Sequence, residues 1–327
     1  MMEVSFGLQL LTSRWGRQDV VVLVTPPLLA AALAAVRARL TWRRPAIGVV
    51  VHDLYSRGIT ETAAGSGFSA RAIGLVESAV MRMADSVVVI HPGFTADLTE
   101  NLGVDSRRIH EIRNWTHIDS PESPASAAFR AARGWGPDEV VVLHAGNMGY
   151  KQGLENVVAA AELADHSVDR RVRFVLLGDG NQRAALQAAG AGLRALEFLP
   201  PVDEAEFPAA LGAADVLLVN ERPGVAHMAA PSKLTSYFRS GKPVLAATHE
   251  AGVTAQEIIA SGAGVRVPAD RPDLLLTEAL RLGTDHTLAA RMGAAGRRYC
   301  AELLSEATAL DRYEKWVADL AESRRRR

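Results

Sequence analysis

Residues 146–153 read Gly-Asn-Met-Gly-Tyr-Lys-Gln-Gly, between an apolar run ending at His144-Ala145 and a helix-forming stretch. Glycine lets backbone N–H groups approach a ligand, and a helix N-terminus with a lysine beside it favours phosphate. Gly146, Asn147, Gly149 and Lys151 are therefore candidate anion-binding positions, although a tight turn needing positive φ would use the same glycines. The loop lacks both the Gly-Lys-Ser/Thr of a Walker A sequence and the glycine spacing of a dinucleotide fingerprint. A second loop, Gly178-Asp179-Gly180, follows the apolar run 174–177. Asp-Gly at a strand end is ordinary turn chemistry, but with the first loop it places two glycine-rich elements on one sheet edge. In the third segment, 230–244, Pro231 and Ser232 open and Gly241 and Pro243 close one short helix. Its first turn carries Ser232 and Lys233, an anion site with a cation added; a plain N-cap and a solvated lysine would look the same.

The elements that must position these loops alternate along the chain. In the first part, apolar runs at 19–24, 46–51 and 86–90 are separated by helical stretches at 28–40, 70–84 and 94–102, with an irregular glycine-containing stretch at 56–67. Residues 1–16 read as a short amphipathic helix. Between 116 and 137 the periodicity lapses into Asp-Ser-Pro-Glu-Ser-Pro, the composition of an exposed connection. Alternation then restarts, with strands at 140–143, 172–177, 196–198, 216–219, 244–247 and 264–267, and long helices at 271–282 and 287–320. Continuous Val/Ile runs between helices indicate parallel sheets buried on both faces. The expected organisation is a first α/β domain at 1–120, a linker at 121–137, a second α/β domain at 138–302 and a C-terminal helix with a basic tail at 303–327. Open parallel sheets bind ligands beyond the carboxyl ends of their strands, where these loops fall.

Composition removes several classes of function. The chain has 327 residues, 48% hydrophobic and 22% charged, which suits a globular protein of about two domains. Lys plus Arg total 36 against 37 Asp plus Glu, so no global basic field recruits nucleic acid. A single cysteine, Cys300, excludes an intramolecular disulfide or a Cys-rich zinc site and fits a reducing, cytoplasmic compartment. No Asp-x-Asp pair or His cluster offers a divalent metal site, and no cofactor is expected. The apolar run 20–36 is broken by Thr25-Pro26-Pro27, leaving too little helix for a membrane span. Two basic groups, Arg37, Arg39, Arg43 and Arg44 on one side and Arg324 to Arg327 on the other, could make peripheral contact with anionic lipid; a helix C-terminus complementing its dipole and a solvated tail are the plainer explanation.

Taken in order, Gly-Asn-Met-Gly with Gly153, Leu-Leu-Gly-Asp-Gly, Ala-Asp-Val-Leu-Leu-Val at 214–219, and Pro-Ser-Lys followed by Ser-Gly-Lys-Pro-Val resemble the C-terminal half of a family 4 glycosyltransferase, more narrowly the colanic-acid and capsule polysaccharide type. In the first half, His52-Asp53-Leu54-Tyr55, the stretch from Ala84-Asp85 to Phe94, and Arg113-Asn114-Trp115 are similar to that group's acceptor domain. The resemblance covers essentially the whole chain.

It implies a GT-B architecture of two Rossmann-like domains with a cleft, and a nucleotide-sugar donor from which a sugar is moved with retention to a lipid-linked or polysaccharide acceptor. By the resemblance, Gly146, Asn147, Gly149 and Lys151 face the donor phosphates, Gly178, Asp179 and Gly180 border the nucleotide, Ser232 and Lys233 meet the diphosphate or sugar, and Ser236 lies among the donor-binding positions without a ribose or sugar contact carried over to it. His52 and Asp53 stand beside the reacting sugar, and Lys233 joins them as a catalytic group by meeting leaving-group charge without metal. Three departures stand out. The two glutamates many members carry are Met228 and Ser236 here, and the arginine of the first phosphate loop is Asn147. The first domain also lacks the opening glycine-rich βα unit of the family, so an incomplete sheet and a longer reading frame, or a shortened relative, are expected. A sugar-nucleotide epimerase of the same fold and a non-catalytic binding module are the alternatives.

Overall fold

The computed structural model describes residues 2–61, 67–116, 118–226 and 232–326. The contact pattern divides the chain into two units: 1–114 with 227–230 and 306–327, and 115–226 with 231–305. In the first, α1 (Met2–Thr12), β1 (Val20–Thr25), α2 (Leu28–Leu40), β2 (Ala46–Val51), α3 (Tyr55–Glu61), α4 (Gly67–Met83), β3 (Ser86–Val89), α5 (Gly93–Glu100) and β4 (Ile109–Glu111) form a four-stranded parallel sheet in the order β1-β2-β3-β4. The strand β2 is buried along its whole length, as a central parallel strand of Val and Ile should be. Strand β1 is an edge: Val22 and Val24 are 44% exposed, and an open apolar groove of about 470 Å³ runs beside it against α1.

The second unit holds α6 (Ser123–Ala132), β5 (Val140–Ala145), α7 (Glu155–His166), β6 (Val172–Leu177), α8 (Arg183–Ala189), β7 (Leu196–Leu199), α9 (Phe207–Ala213), β8 (Val216–Asn220), α10 (Lys233–Ser240), β9 (Val244–Ala247), α11 (Val253–Ser261), β10 (Gly264–Val267), α12 (Pro272–Thr284) and α13 (His286–Leu303). Its six parallel strands run β10-β9-β8-β5-β6-β7. Alternate residues of the strands feed two separate cores: Val141, Leu143, Val175, Leu217 and Val244 on one face, Val140, Val142, Phe174, Leu218 and Leu245 on the other. The chain winds outward from β5 through β6 to β7, then returns to β5's other side for β8. The topological switch point therefore lies between β5 and β8, where such sheets bind ligands.

The expected strands appear within a few residues of their positions, and four readings change. Residues 121–137 are not simply an exposed connection: they contain α6, which buries Ser126 and Phe129 and packs on α9. Arg130 fixes that helix, donating to the carbonyls of Ala213, Gly136 and Glu139 and pairing with Asp215 at 3.0 Å. Pro and Ser at its start, the usual marks of a loop, are here the first helical turn. A fourth strand, Ile109–Glu111, joins the first sheet; three residues with two polar side chains carry no apolar run to announce it. Residues 55–61 are helical rather than irregular, because the buried carboxylate of Glu77 accepts from the amides of Tyr55 and Ser56 at 2.8 and 3.1 Å and caps the turn. Residues 62–66 lie outside the described residues.

The fourth change concerns the end of the chain. The stretch 287–320 breaks at Leu304-Ser305, and α14 (Glu306–Arg325) belongs to the first unit. Trp316 lies over β2 where Gly48 presents no side chain; a Cβ there would come within 2.4 Å of the indole. The indole N–H donates to Ser86 Oγ at 2.8 Å, so this large ring is buried without an unpaired donor. Among the described residues, no helix is long and apolar enough to cross a membrane. Trp316→Ala is expected to cost about 3–5 kcal/mol, the usual range for emptying a buried aromatic site. Chemical denaturation followed by probes in each unit checks this: the transition of the first unit should shift and that of the second should not.

Candidate active site

Three loops of the second unit meet at the carboxyl ends of β5 and β6 and at the start of α10. Their approach is so close that only glycine fits. A Cβ on Gly178 would lie 2.0 Å from the Gly146 carbonyl oxygen, and one on Gly180 would lie 2.5 Å from that of Met148. Both residues, and Gly146, have φ between +126° and +158°, a region that side chains oppose. Backbone bonds lock the pair of loops: Gly146 N–H to Leu177 O at 2.9 Å, Met148 N–H to Asp179 O at 2.7 Å, and Gln182 N–H to Met148 O at 3.0 Å. Gly178 is buried, while Gly146, Asn147 and Asp179 face outward.

The first loop is also tied down from beneath. The side-chain amide of Asn220, 1% exposed at the end of β8, donates to the carbonyls of Gln152 and Gly153 at 2.8 Å each and accepts from Asn156 at 2.8 Å. Gly153, in the left-handed region, lets the backbone of Arg222 pass; a Cβ would stand 2.8 Å from its Cα. Arg222 stacks 3.7 Å from the centre of the Tyr150 ring, donates to Tyr150 O and pairs with Glu155.

Into this cradle comes Lys233, first residue of α10. Its Nζ lies 3.9 Å from where a Gly146 Cβ would sit and 3.4 Å from Nε2 of His144. His144 is wholly buried at the end of β5, and both burial and the Lys233 charge push its pKa well below the usual value. The ring is thus neutral and its Nε2 lone pair is able to face the ammonium. Lys233 itself is lowered to about 8, chiefly by burial and further by Lys151, with Glu221 acting in the opposite sense. Glu221 is itself bound by the hydroxyls of Thr248 and Thr254. Two ammonium groups consequently sit beside outward-facing backbone at a helix N-terminus, whose first amides have no intrahelical acceptor. Such an arrangement is short of negative charge.

The remaining donor-set residues divide. Ser232 precedes α10, is exposed, and its side chain makes no capping bond. Asp179 accepts from the Gly180 amide at 2.8 Å, the turn role that its sequence allowed. Ser236 is engaged with Thr116 at 3.1 Å between hydroxyl oxygens. Met228 and Pro231 lie outside the described residues. His52 and Asp53 belong to the first unit, just past the end of β2, where the His52 amide donates to Thr25 O at 3.0 Å. Burial lowers the His52 pKa and Asp53 partly offsets it, so the imidazole is neutral near pH 7. Sequence reasoning missed Asn220, Asn156 and His144. Asparagine closing an apolar strand and histidine within one were the available signals, since each is polar where the pattern demands an apolar residue. Among the described residues no group of His, Cys, Asp or Glu is gathered as for a metal ion.

Two parallel-sheet α/β units, the second doubly wound with a glycine-lined cation site at its switch point, define a GT-B protein. A family model described as "Glycosyl transferase 4-like domain" matches residues 1–115, and one described as "Glycosyl transferases group 1" matches 139–285. The chain belongs to the family 4 glycosyltransferases. It is 29% identical over 245 residues to the "Putative colanic acid biosynthesis glycosyl transferase WcaI" of Escherichia coli, covering 73% of this chain and 59% of that protein. It is 28% identical over 272 residues to the "Probable glycosyltransferase WbjE" of Pseudomonas aeruginosa, covering 80% and 65%. The chain thus spans about three fifths of the length of these curated relatives. Among solved structures it resembles Anabaena HepE in complex with UDP-glucose, with a TM-score of 0.76 and 15% identity over 97% of this chain and 82% of that one. Sucrose-phosphate synthase from Thermosynechococcus elongatus gives a TM-score of 0.75 and 21% identity over 93% and 74%.

The lowered Lys233 pKa makes anion binding depend on pH in a definite direction. Below about 8 the free site is fully charged; above it the lysine deprotonates, while a bound anion favours the charged form. Affinity for sulfate, an anion that does not itself titrate in this range, should be flat well below pH 8 and fall by up to about tenfold per unit above it. Titration calorimetry across that interval checks this, and Lys233→Met should bind weakly with a flat profile.

Proposed function

We propose that this protein moves a sugar, with retention at the anomeric carbon, from a nucleotide-sugar donor to a lipid-linked or polysaccharide acceptor. The observation that carries the reading is the placement of the Lys233 ammonium against Gly146, among glycine loops too tight for any side chain. When the bond between the anomeric carbon and the diphosphate breaks, negative charge grows on the leaving oxygens. Lys233, the amides at the head of α10, the backbone of residues 146–149 and the nearby Lys151 meet that charge as preorganised groups. Burial makes the ammonium poorly solvated in the empty site, so its interaction with the diphosphate replaces missing water instead of competing with it. Ser232 stands at the same helix end, and Gly178, Asp179 and Gly180 border the nucleotide. His52 and Asp53 are assigned to the reacting sugar, where a neutral, half-buried imidazole can accept a proton or hydrogen-bond a hydroxyl. The nucleotide-sugar bound by HepE and the polysaccharide named for the E. coli relative support donor and acceptor class. The buried, single Cys300 suits a cytoplasmic location.

A panel of nucleotide-sugars, scored for hydrolysis and for transfer to lipid-linked acceptors, tests the reading. Sugar transfer is expected; a changed nucleotide-sugar without acceptor identifies an epimerase, and no turnover identifies a binding module. Lys233→Ala should lose both donor affinity and rate, about 10²–10³-fold in kcat for one group facing the developing charge. His52→Ala should lose transfer while keeping nucleoside diphosphate affinity. Equal loss of both would make His52 a structural residue.

Transfer should also survive chelation, because lysines and amides are assigned the charge that a divalent ion would otherwise meet. Activity abolished by a chelator and restored by manganese or magnesium would contradict that assignment.

A further inference from the structure

Trp42 is fully exposed and Leu40 is 81% exposed, at the turn that joins α2 to β2. This is not a fraying end. The Thr41 amide donates to Arg37 O and its hydroxyl to Ala38 O at 2.8 Å, closing the helix. The Arg44 amide returns to Thr41 O at 3.1 Å, and the Ala46 amide donates to Asp19 O at 2.9 Å. Arg44 holds φ at +43°, a conformation that a long side chain seldom adopts, so the turn is fixed against local preference. A large apolar ring is thus presented on a hydrogen-bonded turn, with nothing among the described residues packed against it.

The charge around the ring is one-sided. Arg43 and Arg44 follow Trp42 directly, are exposed, and have no ion pair among the described residues. The end of α14 arrives at the same place: Arg324 pairs with Asp19 and its guanidinium reaches Arg43 O at 3.3 Å. Arg17, Arg325 and Arg326 are exposed beside these. Six arginines, at 17, 43, 44, 324, 325 and 326, therefore outnumber the two carboxylates paired with them, Asp19 with Arg324 and Glu322 with Arg326. The two basic segments, separated by nearly the whole sequence, form one rim at the amino ends of β1 and β2, remote from the carboxyl ends where His52 lies.

We propose that this rim is a docking surface for an anionic lipid bilayer, with Trp42 and Leu40 entering the interface and the arginines facing the headgroups. Trp is favoured at that depth because its ring is apolar and its N–H polar, and guanidinium groups bury their stems while their heads stay with phosphate. Bare electrostatic binding to a soluble polyanion would need no Trp42, and bare apolar docking would need no arginine excess. The proposal concerns the first unit alone and does not depend on the sugar-transfer reading.

Sedimentation of the full chain with vesicles of mixed phosphatidylglycerol and phosphatidylcholine tests it, against phosphatidylcholine alone. Binding is expected to the mixed vesicles only, and high salt should reverse it. Arg43→Gln with Arg44→Gln should weaken partitioning about 25-fold, each surface arginine contributing a factor of about five. Brominated lipid should quench tryptophan fluorescence in the native chain and much less in Trp42→Phe, although four other tryptophans remain. Unchanged thermal midpoints and nucleoside diphosphate affinity in these exposed-turn variants show that the fold is intact. Equal binding to neutral vesicles, undiminished binding by the double variant, no binding at low salt, displacement by free glycerophosphate, or binding to the brominated mixed vesicles with equal quenching in the native chain and Trp42→Phe would each overturn the proposal.

Discussion

The carbonyl of Gly146 occupies the space that a side chain on Gly178 would need, and the donor-side architecture follows from that contact. Because the two loops can touch, the backbone of 146–149 is carried over the edge of the sheet to meet the head of α10. Any Cβ at 178 or 180 would part them by more than an ångström, and the ammonium of Lys233 would then face water. The contact is possible only at the end of neighbouring strands in register, which β5 and β6 provide through six consecutive residue pairs. Regular sheet pairing thus sets the spacing, and the missing side chains use it.

Lys233 shows the cost and the purpose of that arrangement together. A lysine forced to about 8 is an ammonium held where its charge is poorly stabilised, with a second lysine near and a neutral histidine beneath. Its nearest acid, Glu221, is drawn toward two threonine hydroxyls. A folded chain tolerates such a group because the rest of the unit is stabilised on both faces of its sheet. The unmet charge is then available to an incoming anion rather than to a structural partner.

Much of this was legible in the sequence, for a definite reason. Parallel strands buried on both faces must be continuous apolar runs, so all six strands of the second sheet stand out, and the glycines that crowd one another appear at their ends. What stayed hidden depends on single polar residues meeting across long separations. Asn220 bonding to the loop at 152–153, Glu77 capping a helix 22 positions earlier, and Arg130 stapling α6 to four distant groups leave no periodic trace. Helix α6 was concealed by its own good start signals, Ser and Pro, which serve loops as well. The basic rim was hidden differently: each basic segment was visible, but their union at Asp19 is a property of the fold alone.

The wedge of Trp316 between β2 and Ser86 has a consequence for the order in which the molecule comes into being. The sheet it completes is made of residues 20–111, yet α14 begins only at Glu306, after the whole second unit has been made. At ribosomal speeds of roughly 5–20 residues per second, the interval amounts to about 10 to 40 s. Throughout that time Gly48 and its neighbours on β2 form an uncovered apolar surface on a nascent chain. The second unit, made of residues between 115 and 305, is under no such delay and can close as it emerges. The sheet of residues 20–111 is thus completed only by a helix made after the second unit.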